Sequence, residues 1–441
     1  MSNKEPIDNY DDYENEQVVF DPGTLLDWDD RDLSTEFVDA GKKNPGIDKP
    51  LLVITLVILL IGIIMVLSAS FARGYYTASD PLRLFSRQFV FAVSGIALML
   101  ITSRISVRTI SRWSMHLLLV SIVLLILVLI IGIRANGATR WIGIGGENSS
   151  LTFQPSEIAK LALILSFAQM MCKLGKERMK TFKFGVLPFA IVTGVMIILL
   201  RLEPHLSAII IVTALAAVMM FVGGTRLRWF LLVITILVAM VGGFVFFQLR
   251  STAPDVEMRN VSMDTVRNNL DLSGLGYEGR RINAWLNPDA DPLRDGFQIR
   301  QSLNAVGSGG LLGLGLGQSR QKHLYLPEEH NDYIFAIVCE ELGFIGAMLI
   351  LMLFVLLIIR GYWLAMHAND KFSSMITIGI TSLLALQVFL NVAVVTNLLP
   401  ATGISLPFFS YGGTALWIQL VQIGIILAVS REIPLTKEKS K

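Results

Sequence analysis

Long apolar stretches alternate with short polar ones from about Pro50 to about Arg431. About ten apolar blocks stand out: 51–68, 89–101, 115–133, 157–171, 186–200, 208–222, 229–247, 333–359, 375–396 and 408–429. Crossing roughly 30 Å of hydrocarbon takes roughly 20 mostly apolar residues in a helix, which satisfies its own backbone groups where lipid offers none. The pattern predicts an all-α polytopic membrane protein with about ten transmembrane helices. Its one long interruption, 248–331, predicts a large extracytoplasmic loop between helices 7 and 8.

The placement of Lys and Arg in the short loops sets the expected orientation. Lys173, Lys176, Arg178, Lys180 and Lys183 follow the fourth block, and Arg104, Arg108, Arg112, Arg226, Arg228, Arg360 and Lys371 fall on the same side. Both termini are therefore expected in the cytoplasm. Residues 1–49 read as a disordered acidic cytoplasmic tail, since the first fifty residues hold 14 acids against 5 Lys or Arg. Apolar islands at 18–20 and 25–28 give the alternative, a docking motif for a soluble partner. Residues 50–431 form the expected membrane domain, and 432–441 a basic cytoplasmic tail. No cleavable signal peptide is expected.

Composition adds little: 53% hydrophobic and 16% charged residues fit a membrane protein. The net charge of +2 hides the acidic tail and points to no nucleic-acid partner. Two cysteines, Cys172 and Cys339, give neither a disulfide framework nor metal-ligand spacing and read as packing residues.

The chemistry concentrates between and at the edges of the apolar blocks. LPEEHNDYIF, from Leu326 to Phe335, gathers Glu328, Glu329, His330 and Asp332 where the eighth block begins, and Glu340 and Glu341 lie inside that block. Carboxylates at a membrane edge are costly to desolvate and tend to mark a reaction site or pathway. Upstream, GATRWIGIGGENSSLTFQPSEIAKL reads as a tightly turning surface loop with Trp141 at the interface. It leads into a helix that Ser156 is placed to cap, with Glu157 and Lys160 one turn apart. Glu203 and His205 sit in a hairpin. The second part of the large loop carries Arg280, Arg281, Arg294, Arg300, Arg320 and Lys322, cations suited to a diphosphate head group. The run 274–279 matches G-x-G-x-x-G without a strand before it, so a dinucleotide fold is rejected. The Gly- and Leu-rich run 307–317 reads as re-entrant or interface-lying. LLPATGISLPFFSYGGTAL, from Leu398 to Leu416, breaks the helical pattern in a way that can line a cavity.

Taken together, FQPSEIAKL, DPLRDGFQIRQSLNAVGSGG, GQSRQKHLYLPEEHNDYIFAIVCEELGFIG and LPFFSYGGTAL resemble the SEDS proteins (shape, elongation, division, sporulation) over about 50–431. The resemblance implies a ten-helix glycosyltransferase of the cell membrane that polymerises lipid II into glycan strands outside the cytoplasm, with undecaprenyl diphosphate leaving. It implies a class B penicillin-binding protein and other divisome proteins as partners. It assigns the catalytic carboxylate to Asp332 and substrate contacts to Trp141, Glu157 and Lys160. Arg140, Arg280 and Arg281 join these as candidate diphosphate contacts, and Gln301, Ser302 and Ser410 as further substrate-binding candidates from the matched motifs. No metal cage is visible, although a divalent cation (Mg or Mn) is a candidate to share the diphosphate charge. The motifs read more like the division and sporulation members than the elongation member, which makes the septum the expected location. Two departures are notable: the family's Q-P-D-x-G is Glu203-Pro204-His205-Leu206-Ser207, and the residue before the catalytic aspartate is Asn331 in place of Thr.

In this reading Asp332 is the general base for a sugar hydroxyl, its weak basicity raised by burial and by Glu328 and Glu329. A lipid II flippase is the alternative, since many helices and broken segments suit transport too; the clustering of charge on one outer face speaks against it. An elongation or sporulation paralogue would run the same chemistry, and a non-catalytic scaffold would not need Asp332.

Overall fold

The structure is a computed structural model and describes residues 46–78, 80–135, 138–143, 152–233, 235, 239, 276–288 and 295–433. Eight of its helices are long and apolar enough to cross a membrane. They are α1 (Lys49–Ala78), α2 (Arg83–Thr102), α3 (Val107–Ile131), α4 (Pro155–Met179), α5 with α6 (Phe182–Gly185 and Leu187–Leu202), α10 (Ile334–Met366), α11 (Lys371–Val395) and α12 (Gly413–Glu432). A shorter apolar helix, α7 (Leu206–Val222), adds a ninth. The predicted seventh block begins as helix over 227–233, and most of its remainder lies outside the described residues. So do residues 1–45 of the acidic tail, 434–441 of the basic one, the first part of the large loop to 275, and Arg294.

Hydropathy explains the helices and burial explains their arrangement. Chains that are apolar all round are satisfied equally by lipid and by neighbours, so polar residues choose the inward faces. Gln387 and Asn391 of α11 and Gln419 and Gln422 of α12 are buried, and these two helices are the most enclosed spans. α12 packs on α2, α11 on α10, α4 and α7, and α1 on α10. At one end, Asp48 accepts both prongs of Arg360, and its backbone N–H reaches Ser430 Oγ. This end carries the Lys- and Arg-rich loops.

At the opposite end the fold departs from a pure helix bundle. The predicted surface loop after α3 contains a small antiparallel sheet in the order β1-β2-β3: β1 (Ile133–Ala135), β2 (Ala138–Gly143) and β3 (Thr152–Phe153). Thr139 and Trp141, alternating in β2, and Thr152 in β3 are β-favouring types that carry that signal, which the glycines around them obscured. Ser156 does not cap α4. Gln154 occupies the N-cap, Pro155 takes the first helical position, and Ser156 is buried in the first turn. Beyond α7, the large loop contributes α8 (Gly276–Leu286) and α9 (Asp295–Ser308).

The Gly- and Leu-rich run joins α10 through the backbone. Helix α10 opens at Gly343, where φ is 68°. The freed groups pair with the run: Leu314 N–H donates to Glu340 O (3.0 Å), Gly315 N–H to Glu341 O (3.0 Å) and Phe344 N–H to Gly310 O (2.8 Å). Irregular backbone is thus satisfied by protein. A Cβ on Gly343 would meet Gly313 N at 2.2 Å, whereas Gly194 in α6 has open space. Gly343→Ala should therefore lower unfolding free energy by about 1–3 kcal/mol, read as a lower thermal midpoint of the purified protein in detergent. Gly194→Ala should not lower it.

Candidate functional site

A cavity of about 540 Å³ opens at the end away from the Lys- and Arg-rich loops. Sequence-distant motifs meet there. β2 supplies Arg140 and Trp141, the start of α4 supplies Gln154, Glu157 and Lys160, and the α6–α7 turn supplies His205 and Ser207. α8 adds Arg281, and the segment before α10 adds Glu328, Asn331 and Asp332. The broken segment between α11 and α12 closes the far wall with Gly403, Ser405 and Tyr411.

Asp332 is positioned mainly by its backbone. Asn391, a buried amide in α11, donates from Nδ2 to Asp332 O and to Ile404 O, both at 2.7 Å. Gly403, at φ 78°, brings the chain so close that a Cβ there would lie 3.1 Å from Asp332 Oδ2 and 3.8 Å from Arg281 Nη1. Arg281 is itself fixed by a 2.9 Å bond to Ala401 O. Burial pushes the Asp332 carboxyl up to about 6, and the charge of Glu328 adds to that, while Arg281, Arg140 and His330 oppose it. The Asp332 carboxylate makes no hydrogen bond among the described residues.

The wall opposite is cationic and polar. Lys160 Nζ lies 2.7 Å from Glu157 Oε1, and both side chains are nearly buried. The pair is an i,i+3 contact, and it also faces the cavity. Arg140 donates to Pro204 O. His205 shares a 3.3 Å contact with Gln154 Nε2, and burial, followed by Arg140 and Lys160, holds its imidazole well below the ordinary range. Burial raises Glu203 to about 8, with Arg140 opposing.

Four sequence candidates lie elsewhere. Arg280 is exposed and does not line the cavity. Gln301 sits on α9 beside Asn304. Ser302 is buried and donates to Val395 O (2.8 Å), a bond that joins α9 to α11. Ser410 lies just behind the cavity wall, where its Oγ donates to Asn331 O (2.8 Å) and accepts from Leu406 N–H.

Several acids and cations prove to be internal supports. Glu341 accepts from Ser68 Oγ (2.7 Å), Lys322 Nζ (3.0 Å) and Ser319 N–H (3.2 Å). Glu340 accepts from the Arg320 and Gln321 N–H groups and from the hydroxyl of Ser319. Lys322 is thus spent inside the protein and is no diphosphate candidate. Glu329 is fully buried under a two-pronged bond from Arg73 (2.8 and 2.9 Å). Burial alone would raise its carboxyl, but His330 and Arg73 hold it below the usual range. Gln154, Gln298, Gln387 and Asn391 escaped the sequence reading. The last two had a usable signal, since an amide within an apolar block demands a buried partner.

A polytopic helical protein with a polar, carboxylate-bearing cavity at a membrane face is the class this geometry defines. The chain belongs to the FtsW, RodA and SpoVE family: the model of that family, described as cell cycle protein, matches residues 49–434. It is 40% identical to stage V sporulation protein E of Bacillus subtilis over 391 residues, which is 88% of this chain and 98% of that protein. It is 38% identical to the probable peptidoglycan glycosyltransferase FtsW of Trichlorobacter lovleyi, over 89% of this chain and 96% of the relative. Among solved structures, a chain of a peptidoglycan synthase complex that coordinates polymerization and crosslinking matches with TM-score 0.64 and 28% identity, covering 87% of this chain and 98% of that one. The rod shape determining protein RodA of Thermus thermophilus matches with TM-score 0.59 and 25% identity, covering 88% and 98%.

Removing one partner of a buried ion pair strands the other charge. Lys322→Ala should cost about 3–5 kcal/mol of stability, visible as a lower thermal midpoint in detergent. Lys180→Ala, which breaks the exposed pair with Glu177, should leave that midpoint unchanged.

Proposed function

We propose that this chain is a peptidoglycan glycosyltransferase that polymerises lipid II at the outer face of the cytoplasmic membrane, with Asp332 as general base. The observation that carries this reading is the Asp332 carboxylate, its proton affinity raised toward neutral pH, lining one cavity together with Arg140, Arg281 and Lys160. The names of the relatives support the activity, and the loop charges support cytoplasmic termini.

The reaction joins a sugar hydroxyl to an anomeric carbon and breaks that carbon's bond to a diphosphate. Asp332 takes the hydroxyl proton as the new bond forms. Its raised pKa makes it a better base than a free aspartate while leaving it ionised at neutral pH. The leaving group, undecaprenyl diphosphate, departs with its bonding electron pair, and the guanidinium and ammonium groups of Arg140, Arg281 and Lys160 meet the charge it gains. Arg280 is the weaker candidate because it lies off the cavity. Trp141 and Glu157 line the wall on which the sugars would rest, and Ser410 acts on substrate only through the segment it holds. The described residues hold no cluster of three or more metal-ligating His, Cys, Asp or Glu side chains; a divalent cation (Mg or Mn) would share the diphosphate charge with Arg140, Arg281 and Lys160. A class B penicillin-binding protein is the proposed partner, in keeping with the matched synthase complex.

Division is the proposed setting, with the septum as location. The identity to a sporulation protein favours sporulation as the second reading; depletion in growing cells distinguishes them, filaments indicating division and a defect confined to spore formation indicating the other. Asp332→Asn should fold normally, yet lower lipid II polymerisation by about 10²–10⁴-fold, assayed with purified protein in detergent. Product from wild-type protein there also excludes a pure flippase or scaffold. Undiminished activity of Asp332→Asn sinks the assignment of the base.

A further inference from the structure

The segment that carries Asp332 is tied down residue by residue. Glu328 begins it in the left-handed region, at φ 55°, where a residue with a side chain is strained. Such a conformation persists only when its surroundings over-determine it. Four consecutive anchors follow. Asp332 O accepts from Asn391, Asn331 O from Ser410 Oγ, and His330 O from Tyr411 N–H (2.8 Å). Glu329 is held through its side chain, by the fork of Arg73.

That last anchor differs from the others. It is the one ion pair among the four, and it comes from α1, which contributes none of the described residues that line the cavity. Glu329 is fully buried, so its charge depends on local donors, whereas Arg73 is about a third exposed. The planar fork of an arginine fixes both carboxylate oxygens at once, which a single ammonium does not do. His330 Nδ1 lies 3.6 Å from the same carboxylate, and its ring stands against Tyr411.

We infer that Arg73 is a positioning residue for the reaction: from outside the cavity, its grip on Glu329 sets the place and the electrostatic surroundings of Asp332. This rests on the reading of Asp332 as the base. The charged groups acting on Asp332 are Glu328 and His330 on its own segment, Arg281 from α8 and Arg140 from β2; those acting on Glu329 are Arg73 and His330. With Arg73 present, Glu329 is neutralised. Without it, Glu329 keeps only the contact with His330, its segment loses one anchor, and the less balanced negative charge three residues from Asp332 moves the ionisation of Asp332 to higher pH.

The test compares purified full-length wild type, Arg73→Ala, Arg73→Lys and Asp332→Asn in lipid II polymerisation across pH. For Arg73→Ala the expected result is a kcat at least about 10-fold lower, a KM for lipid II within about twofold of wild type, and an acid limb displaced above the wild-type position near pH 6. A kcat within about twofold of wild type overturns the proposal. So does a reduced kcat with the limb unmoved, which is a structural effect only, or a raised KM, which would mean direct substrate contact. If Arg73→Ala does not fold, Arg73→Lys decides: the charge is kept and the fork lost, so kcat should fall severalfold with KM and the acid limb unchanged, and a wild-type kcat overturns the proposal. Activity surviving in Asp332→Asn removes the base assignment itself, while its loss beside an unaffected Arg73→Ala removes only the role of Arg73.

Discussion

Carboxylates taken out of water at a membrane face must be compensated, and this constraint organises the cavity end of the protein. Glu329, Glu340 and Glu341 are almost wholly buried, and each collects specific donors: a guanidinium fork, a ring of N–H groups, an ammonium with two serines. Their donors come from α1 and from the large loop, so satisfying these acids also fastens the loop to the bundle. Two carboxylates escape this rule among the described residues: Glu203, whose buried oxygens find no hydrogen-bond donor, and Asp332, which lies before α10. The backbone of Asp332 is held by Asn391, its side chain receives no hydrogen bond among the described residues, and burial raises its proton affinity. A rigid backbone under an uncompensated carboxylate is the arrangement a general base needs.

The glycines and helix breaks serve the same end. Gly403 lets the chain between α11 and α12 approach Asp332 and Arg281 closely. Gly343 opens α10 so that the run 309–315 can pair with it, and that pairing places the carbonyls of Glu340 and Glu341 in the backbone ladder while their side chains hold 319–322. The same short stretch of α10 thereby supports the loop twice. Stability and site geometry are coupled here, since loosening the stretch frees the segment that leads to Asp332.

Much of this was legible in the sequence because hydropathy reports lipid contact directly. The spans followed from apolar length alone, and the acids at the start of the eighth block stood out because a charge is costly there. Pairing was not legible. Nothing in the spacing of Arg73 and Glu329, 256 positions apart, announces a fork, and Lys322 looked like any loop cation until its partner, Glu341, appeared in α10. The sheet of 133–153 was missed because glycines surround strands of three, six and two residues, too short for alternation to show. Ser302 and Ser410 lay in motifs that matched the family, yet motif membership does not separate a residue that faces a cavity from one that braces its wall. Asn391 and Gln387 offered the better clue, since an amide in an apolar helix needs a buried partner.

The most direct measurement of the central claim is the pH dependence of kcat/KM for lipid II polymerisation by the purified wild-type chain, which reports the ionisation of the free enzyme's base. If Asp332 takes the proton, activity rises with pH through an acid limb centred at about 6. A limb near the ordinary aspartate value of about 4, or a profile with no acid limb at all, would contradict the account.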